Sequence, residues 1–295
     1  MCGPERDVGV EWVMLDTSIH DRDVTPKAVT ELSVTALAAL NARFETASPR
    51  EIVEWAVSHV AHDVTHPSTH RLALTVSFGG GGLVLAYLLS QIDRTIPVIF
   101  LDTGFHFPET LEFKQRIVER YDLNLVEMHP ASDPGPLYET DPDQCCHIRK
   151  VEPMQRALQG YDVWISAVRR DQSDTRRAVD TLEYQLVNGR PVLKVYPLVR
   201  WSGKDVWRYL YEHDIPHHPL LDQGYTSIGC WPCTRATVAG EDERAGRWSG
   251  RAKTECGLHA FGSHDPSAST ATSTMNSSDS SAHHALPILP SGTDA

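Results

Sequence analysis

The apolar run Leu72-Ala73-Leu74-Thr75-Val76-Ser77-Phe78 is followed at once by four glycines, Gly79 to Gly82, and then by a second apolar stretch over residues 83–92. The first run has the length and side chains of a strand, and the second is long enough for a helix. Glycines at such a handover leave backbone N–H groups open to an anion, and the helix dipole assists them. Flexible loops use glycine too, but the position between strand and helix points to a phosphate loop, with Ser77, Gly79 and Gly80 as its contacts.

The alternation continues. Residues 97–101 read as a second buried strand, 108–121 as a helix, 123–127 as a third strand and 163–168 as a fourth. Asn188-Gly189 joins residues 184–187 to 192–195 as a hairpin, and Ser202 caps a helix running to about residue 213. Ahead of the sheet, residues 32–44 read as a helix, and Ser48-Pro49-Arg50-Glu51 opens another with an N-cap, a first-position proline and a capping-box glutamate. The pattern predicts an α/β fold, a mostly parallel twisted sheet flanked by helices. Ligands of such sheets bind at the carboxyl ends of strands, where Asp102, Thr103 and Gly104 stand after the second strand.

A chain of 295 residues that is 41% hydrophobic has ample material for a buried core. Beyond about residue 265 the composition shifts to Ser, Thr, Ala and Pro, which predicts one domain over 1–265, with its core at about 72–259 and the early helices bracing it. Residues 266–295 are expected to be a disordered tail. A formal charge of −12 argues against general nucleic-acid affinity but leaves room for a local anion site. The cations are grouped: Arg149 and Lys150; Arg169, Arg170, Arg176 and Arg177; Arg244, Arg247 and Arg251. Residues 1–7 carry Glu5, Arg6 and Asp7 with no apolar run behind them, so no export signal or membrane anchor is legible and a cytoplasmic, reduced chain is expected.

Five cysteines form two pairs and a singlet: Cys145-Cys146, Cys230-Trp231-Pro232-Cys233, and Cys256 in Glu255-Cys256-Gly257-Leu258-His259. Cysteine is also a small buried hydrophobe, but adjacent thiols strain against a mutual disulfide, and paired thiolates suit an iron-sulfur cluster or zinc. A fifth cysteine near a histidine has the composition of a nucleophile. Cys2 has no partner nearby in sequence and reads as incidental. Asp143 reads as an N-cap for a short helix over 144–151, with Pro153 opening the next.

Longer motifs carry a resemblance. Ser77-Phe78-Gly79, Leu101-Asp102-Thr103-Gly104-Phe105-His106-Phe107-Pro108-Glu109-Thr110, and Cys145-Cys146-His147-Ile148-Arg149-Lys150-Val151-Glu152-Pro153 are similar to segments of the assimilatory sulfonucleotide reductases. So are Arg169-Arg170-Asp171-Gln172-Ser173, Asp222-Gln223-Gly224-Tyr225-Thr226-Ser227-Ile228-Gly229-Cys230, Glu241-Asp242-Glu243-Arg244-Ala245-Gly246-Arg247-Trp248 and the segment around Cys256, in the family's order from about residue 72 to 259. The two cysteine pairs mark the iron-sulfur adenylylsulfate (APS) reductase branch. The resemblance implies an adenine nucleotide alpha hydrolase-like (PP-loop type) fold and a [4Fe–4S] cluster on Cys145, Cys146, Cys230 and Cys233. It also implies Cys256 as nucleophile and thioredoxin as reductant. One departure stands out: Gly80, Gly81 and Gly82 follow Ser-Phe-Gly where the family usually has Ala-Glu-Asp or similar.

The implied reaction is attack of Cys256 on the sulfur of adenosine 5'-phosphosulfate, giving an S-sulfocysteine and AMP, after which a dithiol releases sulfite. Such a step belongs to sulfate assimilation and cysteine biosynthesis. Cations must neutralise the charge, and Lys150, Arg169, Arg170, Arg244, Arg247 and His259 are the candidates. His259 is expected either to lower the Cys256 pKa or hold sulfate, or to be an ordinary surface residue. The alternatives are a reductase of the 3'-phosphorylated nucleotide and a zinc-stabilised nucleotide-binding protein without reductase activity. ATP-driven adenylation would want acidic and serine side chains where Gly81 and Gly82 stand. A homo-oligomer is compatible with the sequence but is not specified by it.

Overall fold

A computed structural model describes residues 32–60 and 71–259. Cys2 and the expected tail lie outside the described residues. Two helices come first, α1 (Val34–Phe44), capped by Ser33, and α2 (Pro49–Val60), which starts with the reciprocal Ser48 and Glu51 bonds of a capping box. The sheet then builds by alternation: β1 (Leu72–Thr75), α3 (Gly80–Ile92), β2 (Val98–Leu101), α4 (Pro108–Tyr121) and β3 (Leu125–Met128). After α5 (Pro142–Cys146) and α6 (Glu152–Ala157) come β4 (Val163–Ile165), the hairpin β5 (Leu182–Val187) and β6 (Arg190–Val195), and α7 (Gly203–Glu212).

The six strands lie in the order β3-β2-β1-β4-β6-β5, all parallel except β5, which is antiparallel to β6 through the Asn188-Gly189 turn. Both faces of the sheet are covered, which is why its strands read as continuous apolar runs. On one face Leu72, Leu74, Phe100, Ile165 and Val195 pack with the apolar side of α3 and with Phe113, Val206 and Leu210. On the other, Ala73, Ile99, Trp164 and Val192 pack with Met154 and Leu158 from α6 and the turn after it. Each fully buried Leu or Ile is worth about 1.5–3 kcal/mol, so the central strands are the most strongly determined part of the molecule.

Strand β1 pairs with β2 on one side and β4 on the other, so the sequence order reverses at the β1–β4 edge. That reversal opens a crevice at the carboxyl ends of the strands. The expected strands at 72–78 and 163–168 pair only as far as Thr75 and Ile165, because the chain turns out of the ladder there to line this crevice.

Two expectations about helix starts are corrected. Helix α3 begins at Gly80 rather than residue 83, so three of the four glycines form its first turn. The N-cap of α5 is Asp141, whose Oδ1 accepts from Gln144 N at 2.9 Å, and not Asp143. From there the chain stays helical through a π-turn, His147–Val151, into α6, whose first turn carries Pro153 as expected. Proline lacks an N–H and crowds the carbonyl four residues back, and the wider π-turn ahead of it relieves that conflict.

Candidate active site

The β1–β4 crevice is a cleft of about 260 Å³, floored by Ser77 and Gly79 to Gly82 on one side and by Ser166, Ala167 and Val168 on the other. The glycines serve packing as much as anion access. A Cβ on Gly80 would sit 3.1 Å from Val206 Cγ1 on α7, and one on Gly81 would sit 3.2 Å from Ala167 Cβ. The left-handed backbone of the turn falls instead on buried Phe78, at φ 55°. Gly79 keeps an extended backbone as the N-cap, so the first turn of α3 presents its N–H groups to the cleft without a side-chain cap. At the end of β4, Ser166 Oγ is buried with no hydrogen-bond partner, a group left available to a ligand.

Beside the cleft, Cys145, Cys146, Cys230 and Cys233 line one hollow together with Phe105, Tyr138, Arg149, Lys150 and Trp248. Helix α5 and the π-turn bring the first pair, and a short turn at Trp231–Cys233 brings the second. Burial pushes the Cys146 thiol up to about 11 and raises those of Cys145 and Cys233. Burial acts the same way on Cys230, but Lys150, the Thr103 hydroxyl 3.3 Å away and Arg247 hold its pKa below the ordinary value. Four soft sulfurs sharing one hollow with cations are the residue types that a thiolate-bound metal centre uses. Arg149 is fixed there by Thr103 O at 2.8 Å and by Asp133, with its guanidinium carbon 4.2 Å from the Phe105 ring centre.

Cys256 lines the cleft, and Lys150 lines both the cleft and the hollow. Burial works against the charge on Lys150, yet Cys230, Cys256 and Cys146 around it raise its pKa above that of an ordinary lysine. Arg247 reaches the cleft across Gly229, where any Cβ would collide with the guanidinium. Its Nε is buried without a partner, and its Nη1 makes one long bond, 3.4 Å, to Ile228 O. Arg247 is thus a cation whose hydrogen-bonding capacity is largely unused. Arg244 also lines the cleft, paired with Glu255 at 3.2 Å.

The other predicted contacts are placed differently. Thr103 lines the cleft, but Asp102 and Gly104 do not: Asp102 Oδ1 accepts from Gly104 N at 2.9 Å, and Gly104 turns at φ 74° over Arg149. Arg169 reaches the cleft with only 3% exposure, but Asp171 at 2.9 Å and Glu243 at 2.7 Å occupy its guanidinium, so it braces the wall. Arg170 points away, to Glu45 at 2.9 Å and Val179 O at 2.8 Å. His259 is not a cation: burial, then Lys194, Arg176 and Arg244, hold its pKa well below the usual histidine value, and its ring stacks on Trp164 at 5.4 Å. Ser166, Arg176 and Gly229 line the cleft without having been singled out as contacts. Arg176 stood in a recognised basic group and Gly229 in a recognised motif, but side-chain direction within those segments has no sequence signal.

A model of the phosphoadenosine phosphosulfate reductase domain matches residues 71–236. An adenosine 5'-phosphosulfate reductase of Salinibacter ruber is 41% identical over 236 residues, 77% of this chain and 90% of that protein. Adenosine 5'-phosphosulfate reductase 1 of Bacillus subtilis is 41% identical over 217 residues, 70% and 89% of the two chains. Among solved structures, a phosphoadenylyl-sulfate reductase of Candida auris in a phosphate complex aligns with a TM-score of 0.58 and 30% identity, covering 68% of this chain and 97% of that one. The chain belongs to the phosphoadenosine phosphosulfate reductase family, on the branch whose relatives are named adenosine 5'-phosphosulfate reductase.

Proposed function

We propose that this chain reduces adenosine 5'-phosphosulfate to sulfite and AMP, with Cys256 as the nucleophile and thioredoxin as the electron donor. The observation that carries the reading is that Cys256, Lys150 and Arg247 share one cleft with the open first turn of α3. The N–H groups of that turn suit the nucleotide phosphate, and Ser166 Oγ offers a further polar contact. Lys150, Arg244 and Arg247 suit the sulfate and the charge that develops as its bond to AMP breaks.

The Cys256 thiolate attacks the sulfur, the bond from sulfur to the phosphate oxygen breaks, and AMP leaves with its electron pair. A thioredoxin thiolate then attacks Sγ of the S-sulfocysteine and expels sulfite. The second thioredoxin thiol resolves the mixed disulfide, so the dithiol supplies both electrons and Cys256 returns as a thiolate. This chemistry needs reduced thiols, in keeping with a cytoplasmic setting.

Cys145, Cys146, Cys230 and Cys233 are the residues that would hold a [4Fe–4S] cluster. When bound, the cluster supplies a fixed negative centre that fastens α5 to the segment around Cys230 and opposes the nearby cations.

The test is single turnover without reductant. Protein given adenosine 5'-phosphosulfate is expected to release one AMP per site, by the stoichiometry of the first step, and to gain one sulfonate on Cys256 by intact-mass and peptide mass spectrometry. Reduced thioredoxin should discharge that adduct as sulfite, with kcat/KM lower for the 3'-phosphorylated nucleotide. An adduct on another cysteine, or normal sulfite release by Cys256→Ser, excludes this mechanism.

A further inference from the structure

The residue before the nucleophile is the most heavily bonded carboxylate in the cleft wall. Glu255 Oε1 accepts from Arg176 Nε at 3.0 Å, Ser173 Oγ at 3.2 Å and Thr175 Oγ1 at 3.4 Å, and Oε2 accepts from Arg176 Nη2 at 2.8 Å and Arg244 Nη2 at 3.2 Å. The pair with Arg176 is bidentate, the geometry in which an arginine–carboxylate contact is strongest and most directional. The side chains of Arg176, Arg244 and Glu255 are only 11%, 17% and 24% exposed, so solvent screens this contact less than a surface ion pair. Burial opposes the charge on Glu255, but the Arg176 bond leads the contacts that hold its pKa below the usual carboxylate value.

Arg176, Ser173 and Thr175 belong to the loop after β4, whereas Arg244 and Glu255 belong to a segment whose described residues form no strand or α-helix. Arg176 Nη1 is in turn held by Gln172 Oε1 at 2.5 Å, so the socket is braced before the carboxylate arrives. On the far side of Cys256, Gly257 turns at φ 78° and His259 O accepts from Lys194 Nζ at 3.3 Å. Cys256 is therefore suspended between two anchors. The upstream one is adjacent to it in the chain and is ionic.

We propose that Glu255 is a positioning residue, docking in the Arg176–Arg244–Ser173 socket to hold the Cys256 thiolate over the cleft for attack. This rests on the reading of Cys256 as nucleophile. Attack requires the sulfur atoms to meet in line at near-contact distance, where a displacement of about 1 Å can cost on the order of 100-fold in rate.

The experiment compares wild type with Glu255→Ala, Glu255→Asp and Arg176→Ala. Four quantities are followed: the single-turnover rate of Cys256 sulfonation, AMP affinity, iron content, and the rate at which iodoacetamide alkylates Cys256, read on its peptide. Glu255→Ala is expected to slow sulfonation about 10- to 100-fold. AMP affinity should stay within about twofold and iron content unchanged, because removing the carboxylate leaves the cleft cations in place. Alkylation should be faster than in wild type, and Glu255→Asp should recover part of both rates. Glu255→Ala/Arg176→Ala should be no slower than the slower single variant, since both remove one contact. Sulfonation and alkylation at wild-type rates in Glu255→Ala overturn the proposal, as does a parallel loss of AMP affinity and iron, which marks a merely structural role. If wild type forms no Cys256 adduct, the reading of the nucleophile fails instead, and the alkylation rates still decide whether Glu255 docks the segment.

Discussion

The two walls of the cleft are held by different physics. The wall made by β1 and α3 rests on apolar burial: Leu83, Val84, Leu85 and Ala86 are all at most 1% exposed, and the glycines let α3 close on α7 and on Ala167. The facing wall, residues 225–259, has one short turn at Trp231–Cys233 and one isolated bridge, Thr234 to Arg247. Close approaches and ion pairs hold it: Gly246 leaves no room for a Cβ against Arg235 O, Arg235 pairs with Glu241 at 2.8 Å, and Arg169 ties Glu243 to the β4 loop. The β1–α3 side is thus preformed by the core. The thiol-bearing side, which carries Cys230, Cys233 and Cys256, depends on polar contacts.

The sharpest way to break that contrast is to remove one of the proposed sulfur ligands. Cys230→Ser is expected to lose bound iron and sulfide and to expose residues 225–259 to limited proteolysis, while a protected fragment carrying the sheet survives. Cys2→Ser should do neither. A Cys230→Ser protein with full iron content ends the ligand assignment, and simultaneous unfolding of the sheet ends the distinction between the walls.

A smaller effect tests how the irregular wall aims its cations. Gly229→Ala puts a Cβ where the Arg247 guanidinium lies, so it should displace that side chain. The expected loss of adenosine 5'-phosphosulfate affinity is about 10- to 100-fold, matching one charged hydrogen-bonding partner. Arg247→Ala should match it, and the double variant should add little. Equilibrium binding to Cys256→Ser protein reads this without turnover, and wild-type affinity in Gly229→Ala removes Arg247 from the site.

The smallest effect belongs to the preformed wall. Gly80→Ala brings a Cβ to 3.1 Å from Val206 Cγ1, which should cost about 1 kcal/mol as overpacking only partly offset by better helix propensity. Thermal unfolding should show the loss and Val206→Ala should relieve it, with AMP affinity within about twofold throughout. A marked loss of AMP affinity at unchanged stability would restore an anion-contact role to the Gly80 Cα position.

Much of the first wall was legible in the sequence, because burial imposes patterns on consecutive residues. The apolar runs of β1 and β2, the Ser48–Glu51 and Ser202 caps and the Asn188-Gly189 turn all stand where local chemistry calls for them. The start of α3 is not legible, because glycine's low helix propensity hides a first turn that tertiary packing enforces. Asp141 and Asp143 are equally good cap residues in the sequence, and only the bond to Gln144 N makes Asp141 the cap of α5.

The sequence by itself determined the alternation of strand and helix, the family of the chain and the set of cysteines and cations from which a site could be built. Tertiary structure alone decided which members of that set meet. Arg169 and Arg170 are neighbours in sequence, yet one is buried against Asp171 and Glu243 in the cleft wall and the other turns out to Glu45. Arg176 is one cation in a basic group until the fold sets it against Glu255, and burial, with Lys194, Arg176 and Arg244 nearby, keeps His259 neutral. Periodicity and motif are properties of neighbours along the chain. Side-chain direction, desolvation and charge pairing depend on residues tens of positions away, and only the folded chain brings these together.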